Sequence, residues 1–267
     1  MQKETEFLNV LLASVYALDG VQSVGKSGGM EISQGSDIDI YVFCDRIPDT
    51  EKRQNLINSF DMIVKSTVDL FDDTFYGVGD VVYTDTLEIY LMYNRIDQFA
   101  DYIDSVLAGG RLEKEGGFFF PTGKCATILK MGVFYDRNGF ISSAKTRLSA
   151  YPDELSIKLS AHHISRLRGS NMDSLKSAVM RKDPVEYYDA FNEAMDHLFQ
   201  GLFALNKVFY PGRKRNIAYM AGFAHKPDNC EERIFNIISL GGRPETLGRS
   251  LGIWLSLLED TEKLFRK

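Results

Sequence analysis

The chain has 267 residues, 44% of them hydrophobic and 25% charged, which is the balance of a globular protein with one large domain or two of ordinary size. Its formal net charge of −6 argues against broad, non-specific nucleic-acid binding, which needs a positive surface, although a local basic patch is compatible with it. The three cysteines, Cys44, Cys125 and Cys230, form no zinc-binding or disulfide pattern, so they favour a reducing environment.

The N-terminal stretch MQKETEFLNVLLASVYAL begins with charged residues and continues with an amphipathic pattern. It has no signal-peptide cleavage pattern, and no apolar run of the chain approaches the roughly 20 residues that cross a membrane. We therefore expect a cytoplasmic protein that has no membrane partner.

Helices and strands alternate in the first half of the chain. Apolar residues at helical spacing predict the helices, and β-branched and aromatic residues between turn signals predict the strands. In chain order the predicted elements are a helix (3–18), a strand (21–24), a strand (37–44), a helix (50–60), two β-rich stretches (61–71 and 79–94) and a helix (96–108). A glycine-rich loop, GKSGGMEISQG, joins the first two strands.

Long helical patterns dominate the chain after about residue 120. The predicted helices cover residues 121–135, 152–168, 171–182, 184–209, 229–240 and 244–265. This change of pattern predicts an α+β fold, in which a small mixed-sheet domain over residues 1–117 is followed by an α-helical bundle domain over residues 118–267.

Two carboxylates lie two positions apart in the second predicted strand, GSDIDIYVF. Alternate residues of a strand point to the same side, so Asp37 and Asp39 project together while Ile38 and Ile40 face a core. Two like charges this close repel unless a cation neutralises them. Hard oxygen ligands of this kind suit Mg²⁺ or Mn²⁺ rather than zinc.

The loop before this strand has the residues of a phosphate-binding turn. Gly25, Gly28 and Gly29 allow close approach of backbone amides to phosphate oxygens, and Lys26 and Ser27 can add a positive charge and a hydroxyl. A lone Asp-x-Asp is often a solvated strand edge, and a lone glycine-rich loop is often only a turn. Their joint arrangement favours phosphoryl or nucleotidyl transfer.

The stretch VGKSGGMEISQGSDIDI resembles the signature of the polymerase-beta-type nucleotidyltransferase superfamily. Val24-Gly25 opens the motif, Ser36 precedes the first aspartate, and Asp37-Ile38-Asp39-Ile40 closes the motif at a compatible spacing. Lys26 departs from the pattern, because the family usually has Gly or Ser there, and Ser27 can take the hydroxyl role. This resemblance implies that residues 1–117 form a nucleotidyltransferase-like domain.

A second motif, LFALNKVFYPGRKRNI over residues 202–217, resembles the DUF4037 branch of that superfamily. The branch has a lysine after the Pro-Gly turn, which corresponds to Lys214, so we predict that Lys214 binds the triphosphate, with Lys207 as the second candidate. A basic cluster after a turn is usually only a solvated loop, so this prediction depends on the family resemblance.

The superfamily resemblance also implies a third carboxylate on a neighbouring strand, which completes a site for two cations. Glu88 is the candidate for this metal-binding and catalytic position, through a shifted strand register, although Tyr90 lies about where many relatives have Asp. Asp69 and Asp80 are the alternatives. If none of these residues is the third carboxylate, we expect the chain to bind nucleotide without efficient catalysis.

A general base could come from the helical half of the chain. Glu186, Asp189 and Glu193 share one helix face, although a polar outer face is the better explanation of that pattern. The four histidines lack the spacing of metal ligands, so we expect packing or surface roles for them.

We therefore predict an enzyme that uses a nucleoside triphosphate and Mg²⁺ or Mn²⁺ to place a nucleoside monophosphate on a hydroxyl of a small molecule, a protein or an RNA. The predicted site consists of Asp37, Asp39 and Glu88 with the phosphate-binding residues Gly25, Lys26, Ser27, Ser36 and Lys214. A non-catalytic nucleotide-binding or interaction module of the same fold is the alternative.

Overall fold

The computed structural model describes residues 2–31, 37–73, 75–115 and 120–265. The chain divides into two compact units. The first unit contains Met1–Ser105 and Lys124–Ala150, and the second contains Val106–Gly123 and Tyr151–Lys267. In the described part of the chain, no helix combines the length and the apolarity that crossing a membrane requires.

The first unit is built on a mixed sheet, as the predicted α+β fold requires. Its elements are α1 (Gln2–Tyr16), β1 (Val21–Lys26), β2 (Ile38–Cys44), α2 (Thr50–Asn58), β3 (Lys65–Asp73), β4 (Gly77–Tyr83), β5 (Glu88–Arg95), α3 (Ile96–Leu107), α4 (Gly123–Lys130), β6 (Gly132–Asp136) and α5 (Phe140–Leu148). The described strands lie in the order β3-β4-β5-β2-β1-β6. The central β2 and β5 are parallel, and the other neighbouring strands are antiparallel.

Strand alternation gives this sheet two different faces. Ile38, Ile40 and Val42 of β2 are 1% exposed or less, and they join a core that includes apolar residues of α1. Asp39 lies on the other face, because successive strand residues point to opposite sides. The burial of β2 therefore decides the direction in which its carboxylate projects.

Residues 121–135 differ from the predicted single helix. The chain forms α4 up to Lys130 and then β6, which pairs antiparallel with β1. Gly132 permits this change, because a Cβ there would lie 2.6 Å from Met30 Sδ and 2.8 Å from the carbonyl carbon of Gly29. Since β6 completes the sheet, residues 124–150 belong to the first unit, whereas the predicted boundary near residue 117 assigned them to the helical domain.

The second unit is helical in its described residues. Its helices are α6 (Asp153–Arg166), α7 (Ser170–Arg181), α8 (Pro184–Leu205), α9 (Asn216–Met220), α10 (Cys230–Gly241) and α11 (Leu247–Phe265). The long α8 ends at Leu205 rather than at 209, because the Asn206 side chain donates to the Leu202 carbonyl at 2.8 Å and caps the helix. Trp254 is fully buried in the core of this unit and packs edge-on against Phe191.

A buried arginine cluster stabilises the first unit. Arg53 of α2 is 2% exposed and forms ion pairs with Asp80 of β4 and Asp69 of β3, while its Nε donates to the Pro48 carbonyl at 3.0 Å. Its guanidinium also lies 5.1 Å from the centre of the Tyr93 ring. Asp80 is fully buried, so its charge depends on Arg53 for compensation.

We predict that Arg53→Met lowers the free energy of unfolding by about 3–5 kcal/mol, because it leaves the Asp80 carboxylate buried without its cation. Chemical denaturation followed by circular dichroism measures the change. Arg46→Met is the matched control, since Arg46 pairs with Asp19 at 2.9 Å on the surface, where such pairs contribute up to about 1 kcal/mol. Equal effects of the two substitutions would contradict this assignment.

Two histidines meet inside the second unit. His163 of α6 and His197 of α8 are 1% and 7% exposed, and their Nδ1 atoms lie 3.0 Å apart. Burial lowers the pKa of His163 to about 3 and also lowers the pKa of His197. Both rings are therefore neutral in the folded protein near pH 6.5, where unfolded histidines take up protons.

We predict that the second unit loses stability as the pH falls below 6.5. His163 and His197 then bind protons in the unfolded chain, whereas both rings stay neutral in the folded chain. By pH 5 the loss from His163 reaches about 2 kcal/mol. Fluorescence of Trp254, the one tryptophan of the chain, follows unfolding of this unit. His163→Gln should weaken the pH dependence of the free energy of unfolding between pH 6.5 and 5. His225→Gln, a change at an exposed histidine, should leave that dependence as in the wild type. A wild-type stability that is equal at pH 6.5 and 5 would refute the prediction.

Candidate functional site

The two predicted metal-binding aspartates lie at the start of β2. Asp37 directly precedes the strand and is exposed, and Asp39 is half-exposed within the strand. Ile38 between them is buried. The strand thus presents two carboxylates on the face opposite its apolar core, where a cation can reach them.

The glycine turn begins beside the second carboxylate. The Ser27 amide donates to the Asp39 carbonyl at 2.9 Å, which continues the β1–β2 pairing for one residue into the turn. Gly28 and Gly29 have φ angles of 75° and 95°, which favour glycine over other residues. No described atom lies within 4 Å of a Cβ built on Gly28, so this part of the turn is open to a ligand.

Gly25 and Lys26 have packing partners that the motif alone did not reveal. A Cβ on Gly25 would lie 2.4 Å from Met131 Sδ, so this glycine is required by the packing around β6. Lys26 is 7% exposed, and its Nζ donates to the carbonyls of Ser27 and Gly29 at 3.2 and 3.1 Å. Burial lowers the pKa of Lys26, although the charge of Asp39 acts against that shift. Lys26 therefore holds the turn in shape from within.

Glu88 stands on the same face as the aspartates. The parallel register pairs Asp39 with Tyr90 and Ile38 with Ile89, which sets Glu88 beside the position of Asp37 on the neighbouring strand. The Glu88 carboxylate accepts hydrogen bonds from the phenols of Tyr90 at 2.7 Å and Tyr83 at 3.2 Å. The bond to Glu88 raises the pKa of Tyr90 above its usual value, so that this phenol stays a donor.

The predicted set of three carboxylates is not assembled as one metal centre. Among residues 2–31, 37–73, 75–115 and 120–265, no three His, Cys, Asp or Glu side chains are placed to hold one ion. Asp37 and Asp39 supply two carboxylates by themselves. That set fits Mg²⁺, which binds through one or two carboxylates together with substrate phosphates and water.

Asp69 and Asp80 do not replace Glu88. Asp80 pairs with Leu91 in the β4–β5 ladder, so it faces the core side, away from Tyr90 and Asp39. Asp69 forms an ion pair with Arg53 and accepts a hydrogen bond from Thr50 Oγ1 at 2.7 Å, and both contacts lower its pKa. These two aspartates belong to the buried arginine cluster.

The basic motif of the second unit is anchored by a buried carboxylate. Asp196 of α8 is 2% exposed; Lys114 Nζ lies 2.9 Å from its Oδ2, and Arg213 Nε lies 2.8 Å from its Oδ1. Lys214 follows Arg213 and is exposed. Lys207, the second candidate, forms an ion pair with Asp153. No local pattern marked Asp196, because its partners are distant in the sequence.

The tyrosine of this motif has a structural role. Tyr210 is 2% exposed, its carbonyl accepts from Thr122 Oγ1 at 3.0 Å, and its hydroxyl accepts from Asn216 Nδ2 at 3.0 Å. Its ring packs edge-on against Phe120. These contacts hold both ends of the segment that carries Lys214.

The three candidates for a general base lie on the outer part of α8. Asp189 and Glu193 are exposed, and half-exposed Glu186 pairs with Arg181 at 2.9 Å. Ser36, a predicted phosphate contact, lies outside the described residues.

Comparison with known proteins confirms the resemblance to DUF4037 over part of the chain, and it confirms the fold. Residues 120–215 match the family described as "Domain of unknown function (DUF4037)". No curated protein sequence matches the chain. A nucleotidyltransferase-like protein from Exiguobacterium sibiricum is 12% identical, with a TM-score of 0.50 over 97% of this chain and 74% of that one. An aminoglycoside 6-adenyltransferase from Bacillus subtilis is also 12% identical, with a TM-score of 0.34 over 97% of this chain and 87% of that one. The first similarity shows that the chain has a nucleotidyltransferase-like fold.

Proposed function

We propose that the protein transfers a nucleoside monophosphate from a nucleoside triphosphate to a hydroxyl group of a small molecule, a protein or an RNA, with Mg²⁺ or Mn²⁺ as cofactor. The observation that carries this proposal is the pair Asp37 and Asp39, which project from the start of β2 beside an open glycine turn. The nucleotidyltransferase-like fold supports it.

In this proposal Asp37 and Asp39 hold the metal, which neutralises the phosphates and lowers the barrier to attack at the α-phosphorus. The phosphates bind at the open part of the turn, where the Gly28 and Gly29 amides and the Ser27 hydroxyl are the proposed donors, because the Ser27 amide already donates to the Asp39 carbonyl. Gly25 and Lys26 shape this turn, and Ser36 and Lys214 stay predicted phosphate contacts. The acceptor oxygen bonds to the α-phosphorus while pyrophosphate leaves, and the hydroxyl proton passes to a carboxylate. Glu88 is the third carboxylate of the site and the candidate proton acceptor.

We also propose that the protein works in the cytoplasm. Cys44, Cys125 and Cys230 are all buried free thiols, and burial raises the pKa of each to about 12. Such thiols are unreactive and are typical of a reducing compartment.

Asp39→Asn should lower pyrophosphate release by about 100-fold or more, because loss of a metal ligand costs at least as much as loss of an outer partner, which costs ~10–100-fold. The assay combines the purified protein, each labelled triphosphate, Mg²⁺ and host extract as a source of acceptor. Asp61→Asn, a change at an exposed aspartate in the turn after α2, is the control and should keep wild-type release. Full release by Asp39→Asn would exclude the proposed mechanism.

Lys214→Gln should raise the KM for the triphosphate by about 10-fold, since a hydrogen bond to a charged group contributes ~1.5–3 kcal/mol. Unfolding should not change, because Lys214 is exposed and Arg213 carries the contact with Asp196. Lys176→Gln, at an exposed lysine of α7, is the control. If both variants keep the wild-type KM, Lys214 does not bind the triphosphate.

A non-catalytic nucleotide-binding or interaction module is the second candidate. It is favoured by one observation, that the described residues place no three carboxylates around one ion. Calorimetry with each triphosphate, with and without Mg²⁺, separates the two candidates when it is combined with the assay for pyrophosphate. Binding without release favours the module.

A further inference from the structure

Two tyrosines hold the Glu88 carboxylate. Tyr90 donates to Glu88 Oε1 at 2.7 Å from the same strand, and Tyr83 donates to the same oxygen at 3.2 Å from β4, where it is the direct pairing partner of Glu88. All three side chains are half-exposed. The arrangement thus lies at the accessible end of this sheet face, where β2 and β5 begin, whereas Tyr41 and Phe43 further along the face are buried.

The strand register connects this arrangement to the aspartates. Tyr90 is paired with Asp39 across the parallel β2–β5 ladder, so its ring rises from the sheet next to that carboxylate. Its hydroxyl ends at Glu88, which stands beside the position of Asp37. Tyr90 therefore lies next to the second aspartate in the strand register and donates to the candidate third carboxylate.

A neutral phenol is well suited to this place. A third carboxylate near Asp37 and Asp39 is repelled by them, whereas a phenol adds no charge and stabilises an ionised neighbour by donating to it. Tyrosine also has few rotatable bonds, so an ordered ring fixes its hydroxyl at low entropic cost. The shorter contact makes Tyr90 the stronger of the two donors.

We propose that Tyr90, assisted by Tyr83, is a positioning residue that fixes the Glu88 carboxylate for the transfer reaction. This inference rests on the proposed function. It assigns Tyr90 no contact with the substrate and no part in bond making, because its hydroxyl is committed to Glu88. A purely structural purpose is a poor explanation, since a hydrogen bond between half-exposed side chains adds little to stability.

The kinetic test compares Tyr90→Phe, Glu88→Gln and the double variant. Tyr90→Phe should lower kcat for nucleotidyl transfer by about 10-fold with little change in KM, as expected when an outer partner of a site carboxylate is removed. When Glu88→Gln is already present, adding Tyr90→Phe should not lower kcat further, because the two residues act through one contact. Tyr83→Phe should have a smaller effect. The proposal would be overturned if kcat of the double variant fell by the product of the two single effects, or if Tyr90→Phe kept the wild-type kcat.

A second measurement does not depend on activity. Crystal structures of the wild type and Tyr90→Phe should show Glu88 ordered in the first and displaced or in several conformers in the second, with equal melting temperatures. Tyr135→Phe, at a half-buried tyrosine of β6 that stacks on Tyr16, is the control for loss of a phenol. If the wild type releases no pyrophosphate, the proposed function fails, and the crystal structures alone decide whether Tyr90 positions Glu88. An unmoved Glu88 in Tyr90→Phe would refute it.

Discussion

The parallel pairing of β2 with β5 determines which side chains lie together where these two strands begin. Ile38 pairs with Ile89, and Asp39 pairs with Tyr90. Paired residues of the two strands therefore point to the same side of the sheet, and the side alternates along the strands. A shift of one residue would turn Glu88 into the core and expose Ile89. The burial of Ile38, Ile40 and Ile89 excludes that shift, so the apolar core fixes which side chains stand beside Asp39.

Local periodicity explains which features could be predicted from the sequence. The direction of Asp39 follows from its buried neighbours, and the helices of the second half follow from their apolar spacing. The strand β6 could not be predicted in this way, because its residues also fit a helix and only pairing with β1 makes them a strand. Residues 124–150 join the first unit for the same reason.

The same limit applies to the candidate site. The motif identified Asp37, Asp39 and the glycine turn, which are close in the sequence. The phenol contacts of Glu88 and the packing of Gly25 on Met131 depend on register and on neighbouring strands. The His163–His197 pair likewise arises where α6 packs on α8, between residues with no shared local pattern. Nothing in a one-dimensional pattern encodes these contacts.

Burial and pairing with arginine distinguish the structural carboxylates from the carboxylates of the proposed site. Asp80 and Asp196 are both buried, and each forms an ion pair with an arginine. The paired arginine neutralises the charge of each carboxylate within the fold. Asp37 is exposed and Asp39 is half-exposed, so both carboxylates are accessible from solvent. Two neighbouring, solvent-accessible carboxylates at the start of one strand add little to the stability of the fold. A cation bound as proposed would offset the repulsion between these two carboxylates, which is why the proposed site lies at the start of β2.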